Sequence, residues 1–204
     1  HVGAELGRFP IPLIEARNGW RFDTAAAARY ILDRRIGRNE LDAIETCRAI
    51  ADAEREYAAA DPDGSGFGAY AQHFVSRPDK KDGLYWPPAA GGESPLGPLV
   101  ATARAQGYGG KHAPYHGYYY KLLTAQGPHA AGGARSFIVK GEMIGGFAVL
   151  AYPAKWDDSG VMTFLLAADG KVLEKNLGPR TARLAPQITQ YDPGPGWRPA
   201  EPGS

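Results

Sequence analysis

The clearest pattern in the chain runs from Leu41 to Ala58. Leu41, Ile44, Cys47, Ile50, Ala51, Tyr57 and Ala58 recur at spacings of three and four, and Asp42, Glu45, Arg48, Asp52 and Arg55 fill the opposite side. That period predicts an amphipathic helix capped by Asn39 and running to about Ala60. A shorter helix is expected before it, from Ala25 to about Ile36, capped by Asp23 or Thr24 and ended by Gly37. Earlier still, Pro10 to Ile14 and Trp20 to Phe22 flank Arg17-Asn18-Gly19, which reads as a hairpin over Phe9 to Phe22 with an edge position marked by its prolines.

Beyond Ala60 the period is lost. Asp61 to Gly68 is a Gly/Asp loop, Ala69 to Val75 reads as a short helix, and Arg77 to Gly92 is irregular with several turn signals. Ser94 is expected to start another helix, with Pro95 at its first position and an end near Gly107. The second half changes to short β-type runs: Gly117 to Leu123, Ser136 to Val139, Phe147 to Tyr152, Val161 to Ala167 and Lys171 to Lys175. Asp169-Gly170 makes the last two a hairpin, and the short returns favour antiparallel pairing. A last helix is expected over Thr181 to Ile188, and the Pro/Gly-rich tail from Asp192 is expected to fray.

These elements predict an α+β fold: a long helix packed on an antiparallel β-meander, with extra short helices. One domain spans residues 1–191, its helical part 23–107 and its sheet part 117–176, followed by a tail at 192–204. The order of elements is similar to the globular part of pilins and pseudopilins, a likeness of architecture that carries no function.

Composition narrows the class. A formal net charge of +1 gives the whole chain little electrostatic pull on nucleic acid, and no apolar run is long enough to span a membrane. Cys47 is the single cysteine, so no internal disulfide can form, and its place on the apolar stripe makes it a core residue. The chain begins at His1 and not at Met, which suggests processing or trimming, with any signal peptide removed.

Several blocks carry a family resemblance: Asn18 to Thr24 (NGWRFDT), Arg35 to Glu40 (RIGRNE), Asp82 to Pro87 (DGLYWP), Tyr115 to Tyr119 (YHGYY), Leu123 to Gly127 (LTAQG) and Ser159 to Phe164 (SGVMTF). In this order, from about Phe9 to Thr181, they resemble the bacterial family known as domain of unknown function 2950. The resemblance implies an exported envelope protein, periplasmic or extracellular, with no assigned activity.

Candidate chemistry is sparse. Asp61-Pro62-Asp63-Gly64-Ser65-Gly66 resembles the opening of a calcium loop, with oxygens from Asp61, Asp63 and Ser65 at alternate positions and glycine at the sixth. The twelfth position is Gln72 where such loops place a bidentate Glu, so any calcium site would be weak, and a plain turn closing the helix competes with it. His112 and His116 have zinc-pair spacing, yet Pro114 and the flanking glycines oppose a helix. His1 could enter a copper brace only with a second histidine. Tyr85 and Trp86, with Tyr118 on a strand beyond, could stack on a sugar or anchor a partner, or could pack in the core.

The expected function is therefore a non-enzymatic binding or structural module of the envelope, its ligand site at Tyr85, Trp86, His112, His116 and Tyr118, its partner an envelope protein or glycan. An envelope hydrolase or metal-dependent enzyme is the alternative, and self-association into pilin-like assemblies a third.

Overall fold

A computed structural model of the chain describes residues 12–107 and 113–200. It is α+β, as the periodicity predicts. Strands β1 (Leu13–Ala16) and β2 (Gly19–Phe22) form the expected hairpin, closed by Arg17 and Asn18. The two prolines expected at its edge differ in outcome: Pro12 accepts from the Asp23 N–H, and Pro10 lies outside the described residues.

Helix α1 (Thr24–Ala60) then runs unbroken for 37 residues, about 55 Å at the usual rise. The expected break at Gly37 is absent. Asn39, read as a cap, turns its side chain outward instead, and its Nδ2 donates to the Ser159 carbonyl at 2.9 Å. Glu40 accepts from the N–H groups of Val161 (2.8 Å) and Met162 (2.9 Å). Arg29 and Arg35 reach Asp157 and Asp158 of the same turn. Four side chains on both sides of Gly37 thus clasp one segment, which outweighs the roughly 1 kcal/mol that glycine costs a helix interior. The helix starts under an Asp23 cap, whose Oδ1 accepts from the Ala26 N–H, and ends on Asp61 in the left-handed region (φ 46°).

The main sheet has five strands: β5 (Tyr118–Leu123), β10 (Ala148–Pro153), β11 (Met162–Ala167), β12 (Val172–Asn176) and β13 (Arg198–Pro199), in the order β13-β12-β11-β10-β5. Every neighbour is antiparallel. Strand β10 lies at the centre and is buried on both faces from Ala148 to Ala151. The stripe of α1, with Cys47 and Ile50, packs with Leu150, Phe164 and Leu166 in one core. The tail does not fray through Ala200: β13 adds a strand, the Ala200 N–H donates to the Val172 carbonyl, and Arg198 pairs with Glu174.

Between β5 and β10 the chain makes two small ladders, β6 (Ala125–Gln126) with β7 (Arg135–Ser136), and β8 (Ile138–Val139) with β9 (Glu142–Met143). The run expected as one strand over Ser136 to Val139 is therefore split between two partners, with Phe137 buried at the joint. After α1, the expected helix over Ala69 to Val75 is absent. Its backbone donors are taken by tertiary partners: Tyr70 N–H by the Met143 carbonyl and Ala71 N–H by Glu54. In its place β3 (His73–Val75) pairs in parallel with β4 (Gly83–Tyr85). A side chain at Gly83 would meet the Ser76 backbone nitrogen at 2.6 Å, so this close approach requires glycine. Helix α2 (Gly97–Ala105) begins two residues later than expected, because the Ser94 hydroxyl donates to the Trp86 carbonyl instead of capping. The last expected helix shrinks to α3 (Thr181–Leu184), followed by a 3-10 turn to Gln187.

Candidate functional site

The segments that connect α1 to the main sheet line a cleft of about 1480 Å³. Two sequence candidates expected separately meet along it. The loop after α1 contributes Asp63 and Ser65, and the chain around β4 contributes Tyr85 and Trp86. Strand alternation sets their roles: Leu84 and Trp86 point inward and are buried, while Tyr85 between them is half-exposed. Trp86 is anchored from both ends, its Nε1 donating to the Gly92 carbonyl at 3.3 Å and its own carbonyl accepting from Ser94.

Cations cover both rings. The Lys81 ammonium lies 5.4 Å from the Trp86 ring centre, and the Arg104 guanidinium 5.5 Å from that of Tyr85. Each such pair is worth about 0.5–1 kcal/mol at exposed sites. Arg77, Lys80, Asp79 and Glu142 complete a rim of mixed charge. Asp82 is tied to Arg77 through both backbone and side chain; burial pushes its carboxyl up, but the Arg77 hydrogen bonds and charge outweigh it and hold it below the ordinary range.

Tyr57, buried on α1, supports the two loops from beneath. Its hydroxyl is 2.6 Å from the Lys81 carbonyl, to which it donates, and 3.2 Å from Asp63 Oδ2. Burial raises the Tyr57 hydroxyl well above its ordinary pKa, with Asp63 adding to the rise, so it stays protonated.

The expected calcium loop closes on itself. Ser65 Oγ donates to Asp61 Oδ1 at 2.8 Å, and the Gly66 N–H to Asp61 Oδ2 at 2.9 Å. Those two bonds hold the Asp61 carboxyl below its ordinary range. The Ser65 N–H donates to Asp63. Among the described residues no group of three or more His, Cys, Asp and Glu stands where it could hold a metal ion.

On the other side of Tyr85 lies a smaller, aromatic groove of about 410 Å³ between α2 and the β5 edge. Val75 and Tyr85 form the ridge that cleft and groove share. Tyr115, Tyr119 and Tyr152 line the groove opposite Leu99 and Val100. Tyr118 also lies there but is fully buried, its hydroxyl donating to the Met162 carbonyl at 2.9 Å, and is structural in character. His116 is turned toward α1: in the left-handed region (φ 48°), it brings Nδ1 to 3.2 Å from Asp42 and its ring against Tyr115. His112 and His1 lie outside the described residues.

Sequence reasoning missed Arg104, Lys81 and Glu54. Glu54 is fully buried on α1, its Oε2 accepting from the Ala71 N–H at 2.8 Å and its Oε1 without a hydrogen-bond partner. Burial pushes its carboxyl up to about 8. The signal was present: Glu54 sits four residues after Ile50 and three before Tyr57, on the apolar stripe.

The chain is an α+β domain with a mixed-charge cleft and an aromatic groove, and none of its described helices is long and apolar enough to cross a membrane. The chain belongs to the family described as protein of unknown function DUF2950, whose model matches residues 1–200. No curated protein and no solved structure matches it.

Proposed function

We propose that this chain is a non-enzymatic binding module of the bacterial envelope, periplasmic or extracellular, and that its junction cleft takes a glycan. The observation that carries the reading is the cleft itself: cations stationed over Tyr85 and Trp86, ringed by carboxylates and carbonyls, in a concavity large enough for several sugar units. Sugars need planar apolar surface beside dense hydrogen-bonding groups; the half-exposed Tyr85 ring offers the first and the charged rim the second, while the buried Trp86 braces the wall behind them. The resemblance to exported envelope proteins supports the compartment.

Calorimetric titration with soluble cell-wall glycan fragments tests it. Binding is expected, and Arg104→Ala or Tyr85→Ala should weaken it by about tenfold or more, since each removes a ring or charge contact at the cleft wall. Absence of binding, or binding that ignores both variants, overturns the proposal.

The second reading, an envelope hydrolase, rests on Asp63, Asp79, Asp82 and Glu142 lining the same cleft. Shortened fragments after the same incubation would favour it. The pilin analogy would instead make the chain a self-assembling subunit, for which filaments in negative stain at high concentration are the expected sign.

A further inference from the structure

Among the described residues, six of the ten exposed large hydrophobic side chains lie toward the N-terminal end: Leu13, Trp20, Phe22, Tyr30, Ile31 and Leu41. Scattered exposed apolar residues are ordinary, but concentration on one element is not. Trp20 is the most exposed of the ten, at 70%. In the β1–β2 hairpin the cross-strand pairs Leu13–Phe22 and Glu15–Trp20 share one face, so three of these side chains stand together. On α1, Ile31, Arg34, Arg38 and Leu41 follow at spacings of three, four and three, placing them on one solvent-facing stripe beside Tyr30. The arm precedes the core cluster in the chain, and α1 joins that cluster only from Ala43.

Charge is segregated on the same arm. Residues 13–41 hold six arginines (Arg17, Arg21, Arg29, Arg34, Arg35 and Arg38) against Glu15, Asp23, Asp33 and Glu40, a net of +2. The whole chain is +1, so the remainder carries −1. Arg29 and Arg35 are tied to Asp157 and Asp158. Arg34 lies over the Tyr30 ring, on the apolar stripe itself.

We infer that this arm docks on an anionic lipid surface, lying in the interface with its apolar side chains in the acyl boundary and Arg34 and Arg38 among the headgroups. A basic, aromatic-rich amphipathic segment without spanning length is the chemistry such a surface selects. Nucleic acid would use the arginines and the rings but has no place for Leu13, Ile31 and Leu41. A second copy docking arm to arm would bring two +2 surfaces together. The small net charge of the whole chain conceals this local pull.

Vesicle co-sedimentation of the full chain tests the inference. Binding is expected to vesicles containing phosphatidylglycerol, to be weak on pure phosphatidylcholine, and to fall with salt. An Arg34→Gln/Arg38→Gln double variant should lower partition by about thirtyfold, from about 1 kcal/mol for each surface arginine. A Trp20→Ser/Ile31→Ser variant should lower it by about tenfold or more. Because these residues are exposed, the melting midpoint should hold in both variants, which separates lost docking from lost folding. No partition onto anionic vesicles at low salt, partition indifferent to both variants, or arm-dependent binding to a single-stranded oligonucleotide in its place, overturns the inference.

Discussion

Glu54→Gln replaces a fully buried carboxyl by an amide and should change how stability responds to pH. Unfolded, this carboxyl titrates near 4.5, whereas in the fold burial raises it to about 8. Between those values the folded chain keeps a proton that the unfolded chain has released. The raised value therefore costs nothing below about 4.5, costs more with each pH step above it, and levels off above about 8. At about 1.4 kcal/mol for each step, the full interval sets a ceiling of about 5 kcal/mol, and the part up to pH 7 about 3 kcal/mol. Glutamine keeps the shape and can still accept from Ala71, but it does not titrate. Its amide nitrogen would inherit the position where Oε1 has no partner, a fixed penalty of about 1–3 kcal/mol that does not vary with pH. The informative quantity is thus the difference in unfolding free energy, variant minus wild type, measured by urea titration of tryptophan fluorescence from pH 4.5 to 7.5. It should grow by about 3.5 kcal/mol across that range. Parallel pH profiles would refute the reasoning and would mean that water or a local rearrangement solvates Glu54.

Gly37→Ala should raise stability by about 1 kcal/mol, because α1 passes through Gly37 and an added Cβ meets nothing within 4 Å; a lower melting midpoint would show that the helix bends there. Tyr57→Phe should cost about 1–2 kcal/mol by leaving the Lys81 carbonyl without its donor, and amide exchange should quicken in residues 77–82 while the sheet stays protected. Calcium is expected to leave the melting midpoint where chelator sets it, since an ion would have to take Asp61 from Ser65 and Gly66; a rise at millimolar calcium would show that the loop opens to bind.

What could be read from the sequence followed periodicity. The α1 stripe, the Asn18-Gly19 and Asp169-Gly170 hairpins and the four long strands of the sheet all declare themselves locally. What could not be read depends on partners distant in sequence. Gly37 and Asn39 look like a stop and a cap until Ser159 accepts from Asn39 and Met162 donates to the neighbouring Glu40. Ala69 to Val75 has helical composition, and only Glu54 and Met143 draw its N–H groups elsewhere. Arg198-Pro199 looks like tail until β12 offers an edge. At the site, Tyr85 and Trp86 were visible as aromatics beside turn signals, but Arg104 reaches Tyr85 from another helix and has no local mark.

The clasp between α1 and the turn at 157–162 has a consequence for how the chain comes into being. Glu40 waits for Val161 and Met162, more than a hundred positions later in synthesis, and the apolar stripe of α1 waits for β10 and β11. Until then a 37-residue amphipathic helix has no surface to rest on. Closure over such separations is slow, and the open face invites aggregation or capture meanwhile. A truncated chain ending before Ala148 should therefore behave as a sticky helical intermediate, dependent on a chaperone, and the commitment to the native state should come late, when the 157–162 turn closes onto the helix.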